Sequence, residues 1–247
     1  MKVLENISYS SIGHQRQVLD LYLPDCEEFP VFVYFHGGGF EAGSKGDDRN
    51  NEIGIYLASK GIACVCANYR MYPDAVYPEY LKDCAAAVAW TYKHIAEYGK
   101  CDKVFVGGTS AGAYASMMLN YDRKWLAPHR IKIMDIAGFL HDAGQPTTHF
   151  NVLQYDRGID RRRIIVDEAA PLYYIGIEPE YPPQRHLVST NDIPGRHVQL
   201  NLVLEAMKHF EYDMSKVDLK VFEGKHSRYT EVKLEEVIEE FVREIEG

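Results

Sequence analysis

Gly108-Thr109-Ser110-Ala111-Gly112 sets one serine between glycines placed two positions to either side. Residues 103–106 before it form a short apolar run, and the residues after it read as an apolar helix to about Tyr121. The pentapeptide therefore sits where a buried strand turns sharply into a helix, the context a G-x-S-x-G nucleophile requires. Such a turn holds the serine in a strained backbone conformation, and side chains at the flanking glycines would collide with neighbouring segments. It lifts the Ser110 hydroxyl above the sheet edge and leaves the Ala111 amide at a helix N-terminus, where amide and helix dipole favour a developing oxyanion. Taken alone, five residues could also be a phosphate-cradling turn or helix-start punctuation. A second cluster, His36-Gly37-Gly38-Gly39, follows the apolar run 31–35 and lets backbone N–H groups approach a ligand closely. This is the H-G-G-G pattern that completes an oxyanion hole in many esterases. Neither cluster has G-x-G-x-x-G spacing, and no Gly-Lys-Ser/Thr of a P-loop occurs.

A serine nucleophile needs a base on the same sheet edge. Of the ten histidines, His226 follows the apolar run 219–222 through Glu223-Gly224-Lys225, at the carboxyl end of an expected strand. Open α/β sheets keep their sites at those ends. His94, His197 and His209 fall on expected helices and are read as structural or exposed. The carboxylate that orients the base should lie between serine and histidine in the chain. Asp192 stands just beyond the expected strand 186–188, again at a carboxyl end, whereas Asp218 stands at the entry of the last strand. A helix-capping role is the competing reading of Asp192, and Asp167 and Asp160 are further candidates for the acid.

The elements that must position these residues are legible as an alternation of short apolar runs with longer amphipathic ones. Strands are expected at 18–23, 31–35, 62–67, 103–106, 131–136, 186–188 and 219–222. Helices are expected at 47–60, 79–98, 111–121, 195–210 and 230–245, the second carrying Leu81, Cys84, Ala85, Val88, Tyr92 and Ile95 at three- and four-residue steps. Doubly buried strands alternating with helices imply an α/β fold with a mainly parallel sheet and helices on both faces. No linker, repeat or low-complexity block divides residues 1–247, which are read as a single domain. The stretch 141–185 has no clear period and five prolines. It is read as an irregular segment that shapes the substrate pocket.

Composition narrows the partners. The chain has 247 residues, with Lys plus Arg 27 against Asp plus Glu 36 and a formal net charge of −9. That balance disfavours nucleic acid, and the short run Arg161-Arg162-Arg163 reads as a solvated stretch. Five cysteines without framework or metal-ligand spacing imply reduced thiols, and Cys64 and Cys66 share a strand face as small hydrophobes. No metal or organic cofactor is expected. No apolar run reaches the ~18 residues a membrane span needs, and the N-terminus lacks a signal peptide's apolar core, which together lead to a cytoplasmic expectation. Association into a homo-oligomer is compatible with this composition.

The sequence resembles the α/β-hydrolases of the hormone-sensitive-lipase-like and acetyl-esterase-like group of small carboxylesterases. The resemblance is carried by residues 17–24, His36-Gly37-Gly38-Gly39, Tyr69-Arg70 with Tyr72-Pro73, Gly108 to Gly112, Ala170-Pro171-Leu172, Pro182-Pro183, Asp192 and His226. It implies an α/β-hydrolase fold with Ser110 as nucleophile, His226 as base and Asp192 as its orienter, and oxyanion-hole amides from Gly38, Gly39 and Ala111. Two departures bear on substrate: little chain precedes Val18 for an N-terminal cap, and Tyr69-Arg70 continues as Met71-Tyr72-Pro73-Asp74. The pocket wall is then expected from 141–185, with Tyr72, Tyr173 and Tyr174 as substrate-binding residues, and Phe150, Tyr155, Tyr181 and His149 nearby. The expected activity is hydrolysis of short-chain (acetyl to butyryl) esters, such as an acetylated sugar or an aryl ester. An arylformamidase-like amidase and a catalytically inactive binding protein are the alternatives; Gly39 after His-Gly-Gly argues against the first, and the intact serine, aspartate and histidine against the second. A final expectation is an ion pair between Arg70 and Asp83 that ties the 69–73 loop to its neighbouring helix.

Overall fold

Strands buried on both faces drive the architecture. In the computed structural model, which describes Met1–Gly247, strand β3 (Val31–Phe35) sends Val31, Val33 and Phe35 to one side and Phe32 and Tyr34 to the other, all buried. Each face joins a separate apolar cluster, as a strand covered on both sides requires. The chain runs β1 (Lys2–Ser8), β2 (Val18–Leu23), β3, α1 (Asp48–Ser59), β4 (Ala63–Ala67), α2 (Glu79–His94), β5 (Val104–Thr109) and α3 (Ala111–Tyr121). It continues through β6 (Gly138–Asp142), β7 (Gln184–Asn191), α4 (Arg196–His209), β8 (Val217–Lys225), β9 (Arg228–Tyr229) and α5 (Leu234–Glu246). Helices α2 and α3 pack on the larger cluster with Val203 and Met207 of α4. Helices α1 and α5 cover the other face. Helix α5 does so through Leu234, Val237, Ile238, Phe241 and Val242 at i, i+3, i+4, i+7 and i+8.

The nine strands form one sheet in the order β1-β2-β4-β3-β5-β6-β7-β8-β9. From β4 to β8 every pairing is parallel, and β1, β2 and β9 add antiparallel edges. The carboxyl ends of β3, β5, β6, β7 and β8 therefore share one edge. The order reverses between β3 and β5, which makes the crevice above those two strands the topological switch point where open α/β sheets bind ligands.

Two expectations about elements are corrected. Residues 131–136 are not a strand: Ile133–Asp135 form a 3-10 turn, and the sheet strand is β6, seven residues later than expected at its start. Its polar residues His141 and Asp142 are buried because Ser116 binds His141 at 2.7 Å and Thr109 binds Asp142 at 2.7 Å. The chain ahead of Val18 is also not free of strand, since β1 pairs along β2. The stretch 141–185 begins inside β6 and contains a π-helical turn, Val152–Asp156, and a 3-10 turn, Pro171–Tyr174.

Other details follow the sequence reading. Cys64 and Cys66 lie on one face of β4, buried, with sulfurs 3.6 Å apart, and all five cysteines are free. Arg70 grips Asp83 of α2 through Nε and Nη2, each at 2.8 Å, while the Arg70 amide donates to the same carboxylate at 2.9 Å. That fork ties the 69–73 loop to α2. No helix is long and apolar enough to cross a membrane.

Candidate active site

Ser110 sits between β5 and α3 with φ 56° and ψ −109°, a conformation a non-glycine residue adopts at a cost of about 1–3 kcal/mol. The reason for the flanking glycines is the end of β3. A Cβ on Gly112 would stand 2.0 Å from the Phe35 carbonyl oxygen, and one on Gly108 would stand 2.5 Å from the same atom. Backbone cannot yield there, so the turn exists only with glycine at both places. The Ser110 amide donates to the Asp142 carbonyl at 2.7 Å, and the Ser110 carbonyl accepts the first helical bond from Tyr114 at 2.9 Å.

The turn from β8 to β9 carries His226, whose Nε2 is 2.9 Å from Ser110 Oγ and whose Nδ1 is 2.6 Å from Asp192 Oδ1. With the carboxylate accepting from Nδ1–H, Nε2 is left with a lone pair facing the serine hydroxyl. Asp192 follows β7 and its side chain is fully buried. Its Oδ1 also accepts from the Ile193 amide at 2.7 Å, and its Oδ2 accepts from the Ser189 hydroxyl at 3.1 Å. Burial alone would push this carboxyl up; the bonds from His226 and the backbone outweigh it and hold the group below its ordinary value. The capping reading of Asp192 does not hold, since α4 is capped at Gly195 without any side-chain bond. The rival acids are engaged elsewhere, Asp160 with Arg162 and Asp167 with the Thr148 hydroxyl at 2.7 Å.

Beside the serine runs the glycine loop after β3. Gly38 and Gly39 have φ of +114° and +66°, and the Gly38 carbonyl accepts from the Glu41 and Ala42 amides, which curls the loop back on itself. The amides of Gly38 and Gly39 donate to no backbone carbonyl, and that of Ala111 is the first of α3, with no carbonyl four residues back in the helix. A Cβ on Gly37 would touch Ser110 Cβ at 3.4 Å, so the loop lies against the serine. His36 anchors it from below: the ring stacks on Tyr69 at 4.5 Å, and its nitrogens face the Gly37 carbonyl and Arg16. Burial pushes that imidazole down to about 4, which keeps it neutral.

The residues expected to bind substrate divide. Tyr72 is partly exposed, hydrogen-bonds the Phe40 carbonyl through its amide at 2.9 Å and stacks on Tyr155 at 3.7 Å, at the rim of the glycine loop. Tyr173 and Tyr174 are a correction. The Tyr174 hydroxyl meets Lys124 at 2.8 Å, beyond the C-terminal end of α3, and Tyr173 packs beside Tyr174 facing solvent. Eleven residues of helix, about 16 Å at ~1.5 Å per residue, separate that end from Ser110. The apolar look of Leu172-Tyr173-Tyr174 marks packing of a 3-10 turn rather than pocket lining.

Sequence reasoning missed Asp142 and Arg161, whereas Phe150 was among the loop aromatics expected at the pocket wall. Asp142, at the end of β6, accepts from Thr109 and from the Tyr229 hydroxyl and lies 3.7 Å from Arg49; burial pushes its carboxyl up. Phe150 leans on Gly39, so close that a Cβ there would be 2.7 Å from the ring. Arg161 lies over Phe150, with its guanidinium 4.4 Å from the ring centroid. Asp142 carried no signal because its partners are distant in the chain, and Arg161 was visible only as part of a charge run.

The BD-FAE family model matches residues 19–132, the stretch from β2 through the serine turn and α3. Tuliposide A-converting enzyme b1 of Tulipa gesneriana is 33% identical in a match covering 37% of this chain and 29% of that protein. The probable carboxylic ester hydrolase LipM of Mycobacterium tuberculosis is 33% identical over 46% of this chain and 27% of its own. This chain thus covers less than a third of the length of either relative. Among solved structures, esterase B from Lactobacillus rhamnosis, inhibited by a tributyrin phosphonate, is similar with TM-score 0.77 at 19% identity, covering 99% of this chain and 85% of the other. A truncated carbohydrate esterase from gut microbiota gives 0.78 at 14% identity, covering 100% and 97%. The esterase Est2 of Thermogutta terrifontis gives 0.74 at 22% identity, covering 99% and 92%. The chain is an α/β-hydrolase by fold, and its residues 19–132 match the BD-FAE family.

Proposed function

We propose that this α/β-hydrolase is a serine carboxylesterase acting on short-chain esters. The observation that carries the reading is the continuous relay from Ser110 Oγ to His226 at 2.9 Å and from His226 to Asp192 at 2.6 Å. Ser110 attacks the ester carbonyl while His226 Nε2 takes its proton, and Asp192 stabilises the imidazolium that forms. The tetrahedral oxyanion is received by the amides of Gly38, Gly39 and Ala111, and the bond to the alcohol breaks as His226 returns the proton to it. Water then attacks the acyl-enzyme with His226 again as base, which releases the acid and restores Ser110.

A preference for acetyl to butyryl groups is supported by Phe150, whose ring closes against Gly39 beside the oxyanion amides. The alcohol is left the wider, partly exposed rim at Tyr72 and Tyr155. The direct test is turnover of p-nitrophenyl acetate by the native chain and by Ser110→Ala, which should lose on the order of 10⁶ in kcat. A Ser110→Ala protein that keeps a tenth of the activity would assign the chemistry to another group. Along a p-nitrophenyl series from two to twelve carbons, kcat/KM should peak at four or fewer, and a peak at eight or beyond would contradict the short-chain reading.

A further inference from the structure

Two arginines are buried to the same degree, and only one of them is paired. Arg185, 3% exposed, is held by Asp218, Glu240 and Glu244 at 2.9, 3.3 and 2.6 Å. Arg196, 4% exposed, takes part in no ion pair: its Nη1 donates to the Gln199 side chain at 3.1 Å and its Nε has no partner at all. Burial pushes its guanidinium down to about 10, so it is still a cation at neutral pH. A buried charge without a counter-ion is strongly disfavoured, and in a chain of net charge −9 acidic partners are not scarce. Its position gives the reason. Arg196 is the first residue of α4, four positions after Asp192, at the carboxyl edge that holds the site. The acid whose charge acts on it is Asp192, already engaged by His226.

Arg161 lies over Phe150 at 4.4 Å, Phe150 leans on Gly39, and His149 packs on Phe150 at 4.2 Å. The buried His149 ring, kept neutral chiefly by burial, lies within the fields of both Arg196 and Arg161. The remaining partner of Arg161 is Glu41 at 3.9 Å, a loose and partly exposed contact.

From this arrangement we infer that Arg196 and Arg161 form an anion subsite, and that the ester cleaved at Ser110 carries a carboxylate or comparable oxyanion near its scissile bond. The inference rests on the esterase reading and names the substrate class within it. An ester bearing the anion supplies the counter-charge that Arg196 lacks; a neutral ester of the same size enters but leaves the guanidinium unpaired, a difference that discriminates strongly between substrates.

The test compares matched esters on the whole chain. Monoethyl succinate against ethyl butyrate carries the anion on the acyl side, and 3-acetoxybenzoate against its methyl ester carries it on the alcohol side. In at least one pair the anionic member should have a kcat/KM ten-fold or more above the neutral one, and the advantage should shrink as salt is raised. Arg196→Gln should bring that ratio close to one. Arg161→Gln, a change at an exposed side chain that leaves the core untouched, should lower it several-fold. Ratios at or below one in both pairs overturn the inference while leaving the esterase reading standing. So does an Arg196→Gln protein in which both members of a pair decline together, because Arg196 would then act on Asp192 and not on substrate. No turnover of any of the four esters would instead remove the esterase reading, and this inference with it.

Discussion

Asp192 shows what one side chain must do here. It is fully buried, ionised at neutral pH by the bonds it accepts, and aimed at His226 Nδ1. Asp192→Asn keeps the shape but offers an amide N–H to the imidazole, which favours the wrong tautomer and takes the lone pair away from Ser110. We expect kcat on p-nitrophenyl acetate to decrease by roughly 10⁴ with little change in thermal stability. A loss of only a few-fold would mean that His226 is oriented by another group. Ser110, His226 and Asp192 could be picked out of the sequence because each follows an apolar strand run, and chain order and strand-end position sufficed to choose among ten histidines. Arg196 could not be picked out the same way. Its meaning lies in what it fails to touch, and an unpaired cation reads in sequence like any other helix-start arginine.

At the scale of elements, the junction of β5, β6 and the β8–β9 hairpin holds the site together. Asp142 ends β6; its carbonyl accepts from the Ser110 amide, one carboxylate oxygen accepts from Thr109, and the other accepts from Tyr229 of β9. Tyr34 of β3 extends the network to the Thr109 hydroxyl at 2.8 Å, and Arg49 reaches both Asp142 and Ser227. Asp142 thus joins the residue before Ser110 to the hairpin that carries His226. Asp142→Ala should cost about 3–5 kcal/mol by leaving buried hydroxyls without partners and Arg49 without its counter-ion. The gentler Tyr229→Phe should cost about 1 kcal/mol and reduce kcat more than KM, because only the hairpin's hold on His226 loosens. Urea denaturation with steady-state kinetics on the same variants checks both; an unchanged kcat in Tyr229→Phe would mean that His226 is held by Asp192 alone. This junction also explains the misplaced strand. The apolar spacing of Ile131, Ile133 and Ile136 reads as a strand, but these residues pack under a 3-10 turn, while β6 buries His141 and Asp142 through partners on α3, β5 and β9. Hydropathy reports the transfer of a side chain alone, so a strand made tolerable by long-range hydrogen bonds is invisible to it. Continuous apolar strands such as β3 and β4, and the amphipathic α2, needed no such partners and were legible.

Across the whole molecule, four histidines lie in the interior: His36, His141, His149 and His186, none more than 2% exposed. Burial lowers all four, His36 and His186 to about 4 and the other two well below their ordinary value. The His141 and His186 rings, 4.8 Å apart, also oppose each other's charging. At pH 7 the four are neutral whether the chain is folded or not, so they cost nothing. As pH falls through about 6.5, the unfolded chain takes up protons that the folded chain refuses, and stability declines with pH. For His36 and His186 the decline levels off near pH 4, where they charge in the folded state as well. Asp142, raised by burial, works in the opposite direction, but it is one group against four. At ~1.4 kcal/mol per pH unit below 6.5 for each histidine, pH 5 removes several kcal/mol from a stability that is typically about 5–15 kcal/mol in all. A chain of this length shifts its Tm by about 2–4 °C per kcal/mol, so Tm should drop by at least ~10 °C between pH 7 and pH 5. His186→Gln, which removes one titrating ring, should narrow that difference whatever it does to Tm at pH 7. Calorimetric scans of both proteins at the two pH values decide the matter: a native Tm that moves by less than ~3 °C would mean that these imidazoles accept protons inside the fold, and the interior around β6 and β7 would then have to admit water.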